Sequence, residues 1–273
     1  MMPFYRRIVG IDMAVDRRSV AVGRATYRDE DATFHIDELV RGSSLSPAAD
    51  TDDRLLQTVK TIAPVIARMI DGPTLLAMDS PLGWPVALGA CLADHTAGQP
   101  LDIPLLDRDR LFVRRTDRAL TTRFGHAGIH IRPLEVGADR IARTAQAALA
   151  LLHEACPRAV LWWPGESPPF TGLVETYPAA TLAAIRGRRA QGYKGNKGGE
   201  ARAVLFDTLV ELSGPGHHHV DRSFRDDCIE SDHALDAVLC ALGGIDVAVG
   251  RARGPREVDA ALRREGWIWV RDP

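Results

Sequence analysis

Three short apolar runs open the chain. Arg7–Ala14 (RIVGIDMA) ends in an acid, and Ser19–Thr26 (SVAVGRAT) and Thr33–Val40 (TFHIDELV) follow after polar turns. Runs of this length between turn residues predict strands, and their close spacing predicts an antiparallel meander. In Thr51–Ile70 the period changes. Leu55, Leu56, Val59, Ile62, Ala63, Ile66, Ala67 and Ile70 fall at helical intervals behind Asp52 and Asp53, and Gly72-Pro73 ends the helix. Thr74–Asp79 (TLLAMD) is apolar on both faces, as a central strand is.

The pattern then lapses. Ser80–Pro133 is rich in Pro, Gly, Arg and Asp and predicts an irregular insertion of the kind that carries function or caps a site. Periodicity returns with a helix over Gly137–Cys156, a short strand Gly172–Tyr177 closed by Pro178, and helices over Ala179–Ile185 and Ala201–Leu212 split by GYKGNKGGE. Ser213–His219 reads as a turn. Asp232–Val249 is a strong helix with Ala234, Leu235, Val238, Leu239 and Leu242 on one stripe, and a short tail follows. The order β-β-β-α-β-(insertion, α)-β-α-α-α predicts an α/β chain. Its mixed sheet, a three-stranded antiparallel meander plus parallel strands, is flanked by helices in the order of the ribonuclease H-like fold. The whole chain, 1–273, reads as a single domain of that kind with the insertion at about 80–133.

Composition narrows the choice. At 273 residues, 45% hydrophobic and 26% charged, the chain can bury a sizeable core, and disorder of its bulk is excluded. A net charge of −2 gives no global attraction for nucleic acid. Cys91, Cys156, Cys228 and Cys240 form no C-x-x-C pair, which points to free thiols in a reducing compartment. No apolar run approaches the roughly 20 residues of a membrane span, so a cytoplasmic location is expected. P-loop, Rossmann and serine-hydrolase motifs do not occur.

The chemistry is in the acids. Asp12 and Asp79 each close an apolar strand, so their side chains emerge at strand ends. Paired carboxylates repel and are held together by a divalent cation or a shared proton. Glu175 lies inside a short apolar strand and needs a partner, and Asp232 and Asp236 are one helical turn apart on one face. The functional reading is a catalytic cluster of Asp12, Asp79, Glu175, Asp232 and Asp236 around Mg²⁺ or Mn²⁺, with Asp12, Asp79 and Asp232 as metal ligands. The structural alternatives are a helix cap for Asp232 and a solvated position for Asp236.

The segments IVGIDMA, LLAMDSPLGWP, VRRTDRALTTRFG, VETYPAATLAAI, YKGNKGGEAR and DDCIESDHALDAVLCAL together resemble the domain-of-unknown-function family 429, described as predicted ribonuclease H-like nucleases. The resemblance runs from about Ile8 to Ala248. It implies a ribonuclease H-like fold with an acidic site, in which Asp12 matches the first-strand acid, Asp79 the acid of the D-x-P-x-G turn, Glu175 the glutamate of E-x-Y-P, and Asp232 and Asp236 the acids of the last helix. The chain departs after Asp12, carrying Met13-Ala14-Val15 where many members have glycine.

Two basic stretches stand beside these acids. Arg108, Arg110, Arg114, Arg115, Arg118 and Arg123 lie in the insertion, and Arg186, Arg188, Arg189, Lys194, Lys197 and Arg202 surround the glycine-rich segment. Lys60, Lys194 and Lys197 are the only lysines, so two of three fall in that segment. Arg115, Lys194 and Lys197 are the expected phosphate contacts. Tyr193 is a candidate for base stacking or for packing. His217-His218-His219 reads as a solvated loop, and Trp162-Trp163 with Trp267 and Trp269 as packing or a homodimer contact. The leading expectation is a metal-dependent nuclease acting on nucleic acid. The alternatives are an actin-like ATP-dependent phosphotransferase and a non-catalytic nucleic-acid-binding protein of the same fold.

Overall fold

The computed structural model describes residues 3–48, 51–93, 95–100, 108–137, 139–214 and 218–273. The opening meander forms as β1 (Arg7–Asp12), β2 (Ala21–Arg28) and β3 (Thr33–Arg41), followed by α1 (Arg54–Met69) and β4 (Thr74–Asp79). The insertion is more ordered than its composition predicts. It carries α2 (Val86–Leu92), α3 (Arg108–Phe112) and α4 (Arg115–His126), because Leu120 and Phe124 supply one apolar stripe that packs with Ala180, Ala183 and Ile268. The chain continues through α5 (Asp139–Ala155), β5 (Val160–Leu161), β6 (Thr171–Glu175), α6 (Pro178–Arg186) and α7 (Gly199–Glu211). It ends with β7 (His218–Val220), α8 (Arg225–Glu230), α9 (Asp232–Ala248) and α10 (Ala260–Glu265).

The strands form one sheet in the order β5-β6-β4-β1-β2-β3-β7. β1–β2 and β2–β3 are antiparallel, and β1–β4, β4–β6, β5–β6 and β3–β7 are parallel. This is the ribonuclease H-like mixed sheet that the order of elements predicts. β5 and β7 are too short to show a period in the sequence. β7 takes His218 and His219 out of the expected loop and pairs them with β3, while His217 lies outside the described residues.

Side chains alternate between two apolar layers, as strands require. Ile8, Leu75, Ala77 and Val174 face α9, with α6 and α7 contributing Leu182, Leu205 and Phe206. Val9, Ile11, Leu76, Met78 and Leu173 face α1 and α5 on the other side. The tryptophans close the tail onto this body: Trp162 stacks on Trp269 with ring centroids 5.2 Å apart, and the Trp267 indole donates to the Arg253 carbonyl at 3.0 Å. All four cysteines are free thiols. No helix among the described residues is long and apolar enough to cross a membrane.

One contact fixes where α9 sits. It crosses β1 over Gly10, where a Cβ would lie 2.3 Å from the Ala241 nitrogen and 2.4 Å from the Ala237 carbonyl oxygen. Gly244 makes the reciprocal approach, with Ile8 Cγ2 2.4 Å and the Ala77 methyl 2.9 Å from where its Cβ would be. The atoms opposing Gly10 are backbone and cannot rotate away. Gly10→Ala should therefore cost about 3 kcal/mol, the upper end for overpacking, measurable as a fall in Tm. Gly89→Ala, in α2 with open space around it, should leave Tm unchanged or slightly raised.

Candidate metal centre

Asp12 is the last residue of β1 and Asp79 the last of β4, and the parallel register sets them directly opposite one another. Asp12 lies four residues beyond Ile8 and Asp79 two beyond Ala77, both of which face α9, so both carboxylates rise on the α9 side. The Gly10 contact brings α9 down over the same strand end. Ala237 meets β1 there, and its neighbour Asp236 closes over the two strand acids. Oxygen atoms of Asp12, Asp79 and Asp236 lie within 4.8 Å of one another. Ser231 begins the helix, its hydroxyl accepting from the Ala234 N–H at 3.3 Å.

Charges around this group are unequally shared. Asp236 is fully buried; the Tyr193 hydroxyl donates to its Oδ1 at 3.2 Å and Lys194 pairs with its Oδ2. Asp12 Oδ2 lies 2.7 Å from His233 Nδ1. Among the described residues no donor serves the Asp79 carboxylate. Burial raises its pKa well above the ordinary value, and the charges of Asp12 and Asp236 raise it further. Burial also raises Asp12 against the pull of His233, and takes Asp236 up to about 7 against the pull of Lys194. For Lys194 burial works downward, but Asp236 outweighs it and holds the ammonium charged. Three crowded carboxylates, one of them without a donor, form an all-oxygen set that suits a hard divalent cation such as Mg²⁺ or Mn²⁺.

The other expected site residues go elsewhere. Asp232 does not join the three-acid group; it is half-buried and accepts the Gly195 N–H at 3.0 Å, fastening the glycine-rich segment to the start of α9. Glu175 pairs in register with Met78 and so faces the opposite side of the sheet from Asp79. There both its oxygens bind the guanidinium of Arg114 at 2.6 and 2.7 Å, and one also accepts the Leu82 N–H at 3.2 Å. Arg115 is partly exposed, and one of its guanidinium nitrogens holds both Asp259 oxygens at 2.8 Å. Lys197 is exposed on the short turn before α7, and Tyr193 is a packed side chain, 4% exposed.

Two participants escape sequence reasoning. His233 stands three residues before Asp236 on the same face of α9, a spacing visible in SDHALD. Arg114 has no such signal among seven insertion arginines. It is 1% exposed, and its five side-chain N–H groups all bond, to Asp117, Glu175 and the Glu265 carbonyl.

Beside the acids lies a cavity of about 270 Å³, lined by Asp79, Lys194, Arg114 and Glu175 and by Pro81, Leu134, Ile141, Tyr177 and Ile268 among others.

The chain belongs to the family described as a protein of unknown function (DUF429), whose sequence model matches residues 10–260. No curated protein matches it. Among solved structures it is similar to T. thermophilus RuvC in complex with Holliday junction substrate, at 13% identity and a TM-score of 0.37, covering 92% of this chain and 100% of that chain. A likeness that distant carries no argument about activity.

Two measurements check the electrostatics. Arg114→Leu leaves Glu175 and Asp117 buried without a counter-ion and should cost about 3–5 kcal/mol, with part of the loss recovered by adding Glu175→Leu. The acid group predicts the pH profile. Asp236 has a folded pKa raised to about 7, so it binds its proton more tightly folded than unfolded. Its stabilising effect is complete below the unfolded value near 4 and is lost as pH rises towards 7. His233, also raised once Asp12 outweighs its burial, acts in the same direction. In EDTA, Tm should fall between about pH 5 and 8. Millimolar Mn²⁺ or Asp79→Asn should flatten that slope, and a slope unchanged by both would show that the crowded carboxylates are not its source.

Proposed function

We propose that this protein is a metal-dependent nuclease that hydrolyses the phosphodiester bonds of nucleic acid. The observation that carries the reading is the meeting of Asp12, Asp79 and Asp236 at the ends of adjacent parallel strands. Asp12, Asp79 and Asp236 would hold the cation, which when bound supplies Lewis-acid stabilisation for the charge that builds on the phosphoryl oxygens. His233 orients Asp12 through its Nδ1 contact with Oδ2. Tyr193 fixes Asp236, and Asp232 holds the segment that carries Lys194.

The cations that remain open support a polymeric, phosphate-bearing substrate. In the first basic stretch three arginines pair within the chain, Arg114 with Glu175, Arg115 with Asp259 and Arg123 with Asp272. In the second, no acid among the described residues pairs with Arg188, Arg189 or Lys197, and all three are exposed. Arg189 is near enough for its charge to act on Tyr177 at the cavity wall. A phosphate backbone lying along this segment would lead past Lys194 to Asp79. The phosphotransferase alternative gains nothing, because the β1–β2 connection, Met13–Val20, contains no glycine to wrap phosphates.

Asp79→Asn and Asp236→Asn should each lower Mn²⁺-dependent cleavage of a fluorescent oligonucleotide by at least about 100-fold while the circular dichroism spectrum is kept. Wild-type protein that cuts neither DNA nor RNA, single- or double-stranded, with either metal sinks the reading. Replacing Arg188, Arg189 and Lys197 by Ala together should reduce the slope of log K against log salt by about 2 for a single strand. An unchanged slope would remove these residues from the phosphate path.

A further inference from the structure

We infer that the cavity beside the carboxylates receives one unstacked nucleobase, so that the substrate is a single strand, a strand end or an extruded nucleotide. The inference deepens the nuclease reading and rests on it for the identity of the polymer. The cavity's chemistry is divided. Asp79 and Lys194 line it, where a phosphate would be held, and so do the apolar side chains of Leu134, Ile141 and Pro178 and the ring of Tyr177.

Arg114 offers no second anion site in the cavity. Every side-chain N–H of Arg114 is already bonded, and the Glu175 beside it is acidic. An anionic group entering past Asp79 would lose its hydration and find no counter-ion. A flat, largely apolar ring attached to the bound phosphate would bury its faces against Tyr177 and the aliphatic side chains.

Size gives the same answer. At about 270 Å³ the cavity falls just below the range of about 300–1,000 Å³ typical of pockets for drug-sized ligands. It has room for one base. A base inside a duplex is stacked and paired, and taking it out costs a few kcal/mol, least where it is already single-stranded. The walls come from separate parts of the chain, among them α5 (Ile141), the turn into α6 (Tyr177 and Pro178), the segment just after the insertion (Leu134) and the tail (Ile268). The side-chain hydroxyl of Thr144, also in the wall, is turned back to the Arg140 carbonyl at 2.9 Å. Thr176, whose buried hydroxyl has no hydrogen-bond partner among the described residues, also lines the pocket; with few other free polar groups, preference among bases should be modest.

The test compares strands of equal charge. Binding of a fluorescein-labelled twelve-residue oligothymidylate is measured by anisotropy in Ca²⁺, beside a fully abasic strand of the same length and a duplex. Wild-type protein should bind the oligothymidylate about tenfold more tightly than the abasic strand. Thr144→Trp and the milder Ile141→Phe, which fill the cavity from α5, should bring that ratio to within about twofold and leave abasic binding unchanged. Equal affinity of wild type for the base-bearing and abasic strands, or a preference that survives both fillings, overturns the pocket assignment. Cleavage that persists in that case leaves the nuclease reading standing. If no polymer is cut but thymidine monophosphate binds and is displaced by Thr144→Trp, the base pocket stands, its source is a free nucleotide, and the nuclease reading falls. Binding of neither strand nor nucleotide overturns both.

Discussion

The structure depends on how closely one helix can approach one strand. α9 lies on β1 with backbone against backbone at Gly10, and Gly244 lets it settle onto Ile8 and Ala77. Ordinary side chains at those positions would lift the helix away from the sheet. Because it is so low, Asp236 is carried into full burial beside Asp12 and Asp79 instead of reaching solvent. The raised pKa values, the capture of Lys194 and the buried position of Tyr193 all follow from that one distance of approach. A helix packed at the usual spacing would leave Asp236 hydrated and the three carboxylates too far apart to share a cation.

The carboxyl ends of β4 and β6 show two solutions to the problem of a buried acid. Glu175 faces the α1 and α5 side and is neutralised by an arginine whose side-chain donors are all used, a group that holds the insertion, the sheet and the tail together. Its desolvation is offset by bonds within the chain. Asp79, one strand away and facing α9, has no donor among the described residues, and its charge is opposed by two neighbouring acids. Acids placed for structure are paired, whereas acids left crowded are a cost to folding that persists where it serves a ligand. On the proposed reading, the contrast between neighbouring strand ends puts the cation on the α9 side and the Arg114–Glu175 brace on the other.

Strands and long helices were legible because each is long enough to show its period, as in Thr74–Asp79 and Asp232–Ala248. The two strand-end acids were legible for the same reason, since an apolar run that stops at Asp predicts where the carboxylate emerges. The choice between Asp232 and Asp236 was not. Both share a face, and only the height of α9 over Gly10 decides which descends to the strands. The side taken by Glu175 was within reach, because Leu173 and Glu175 alternate with Val174 on the two sides of β6. The partners of Arg114 were out of reach, since Glu175 is 61 and Glu265 151 residues away in sequence. The insertion misled because its turn-forming composition masks the Leu120–Phe124 stripe of α4.

The near-neutral total charge conceals a division of labour among cations. Arginines of the insertion are tied to Glu175, Asp117 and Asp259, where a planar guanidinium can bind two oxygens at once. The glycine-rich segment instead presents exposed Arg188, Arg189 and Lys197, and brings Lys194 to the acids. Lysine suits that position. Its ammonium is a point charge on a flexible stem, half-exposed here, and it can move from Asp236 to a phosphate oxygen without breaking a bidentate fit. Asp232 holds the adjoining Gly195 in place, so the lysine is free to swing while its backbone is not. On the proposed reading, an arriving phosphate and its cation would exchange with Lys194 at Asp236, and the site would trade an internal counter-ion for its substrate.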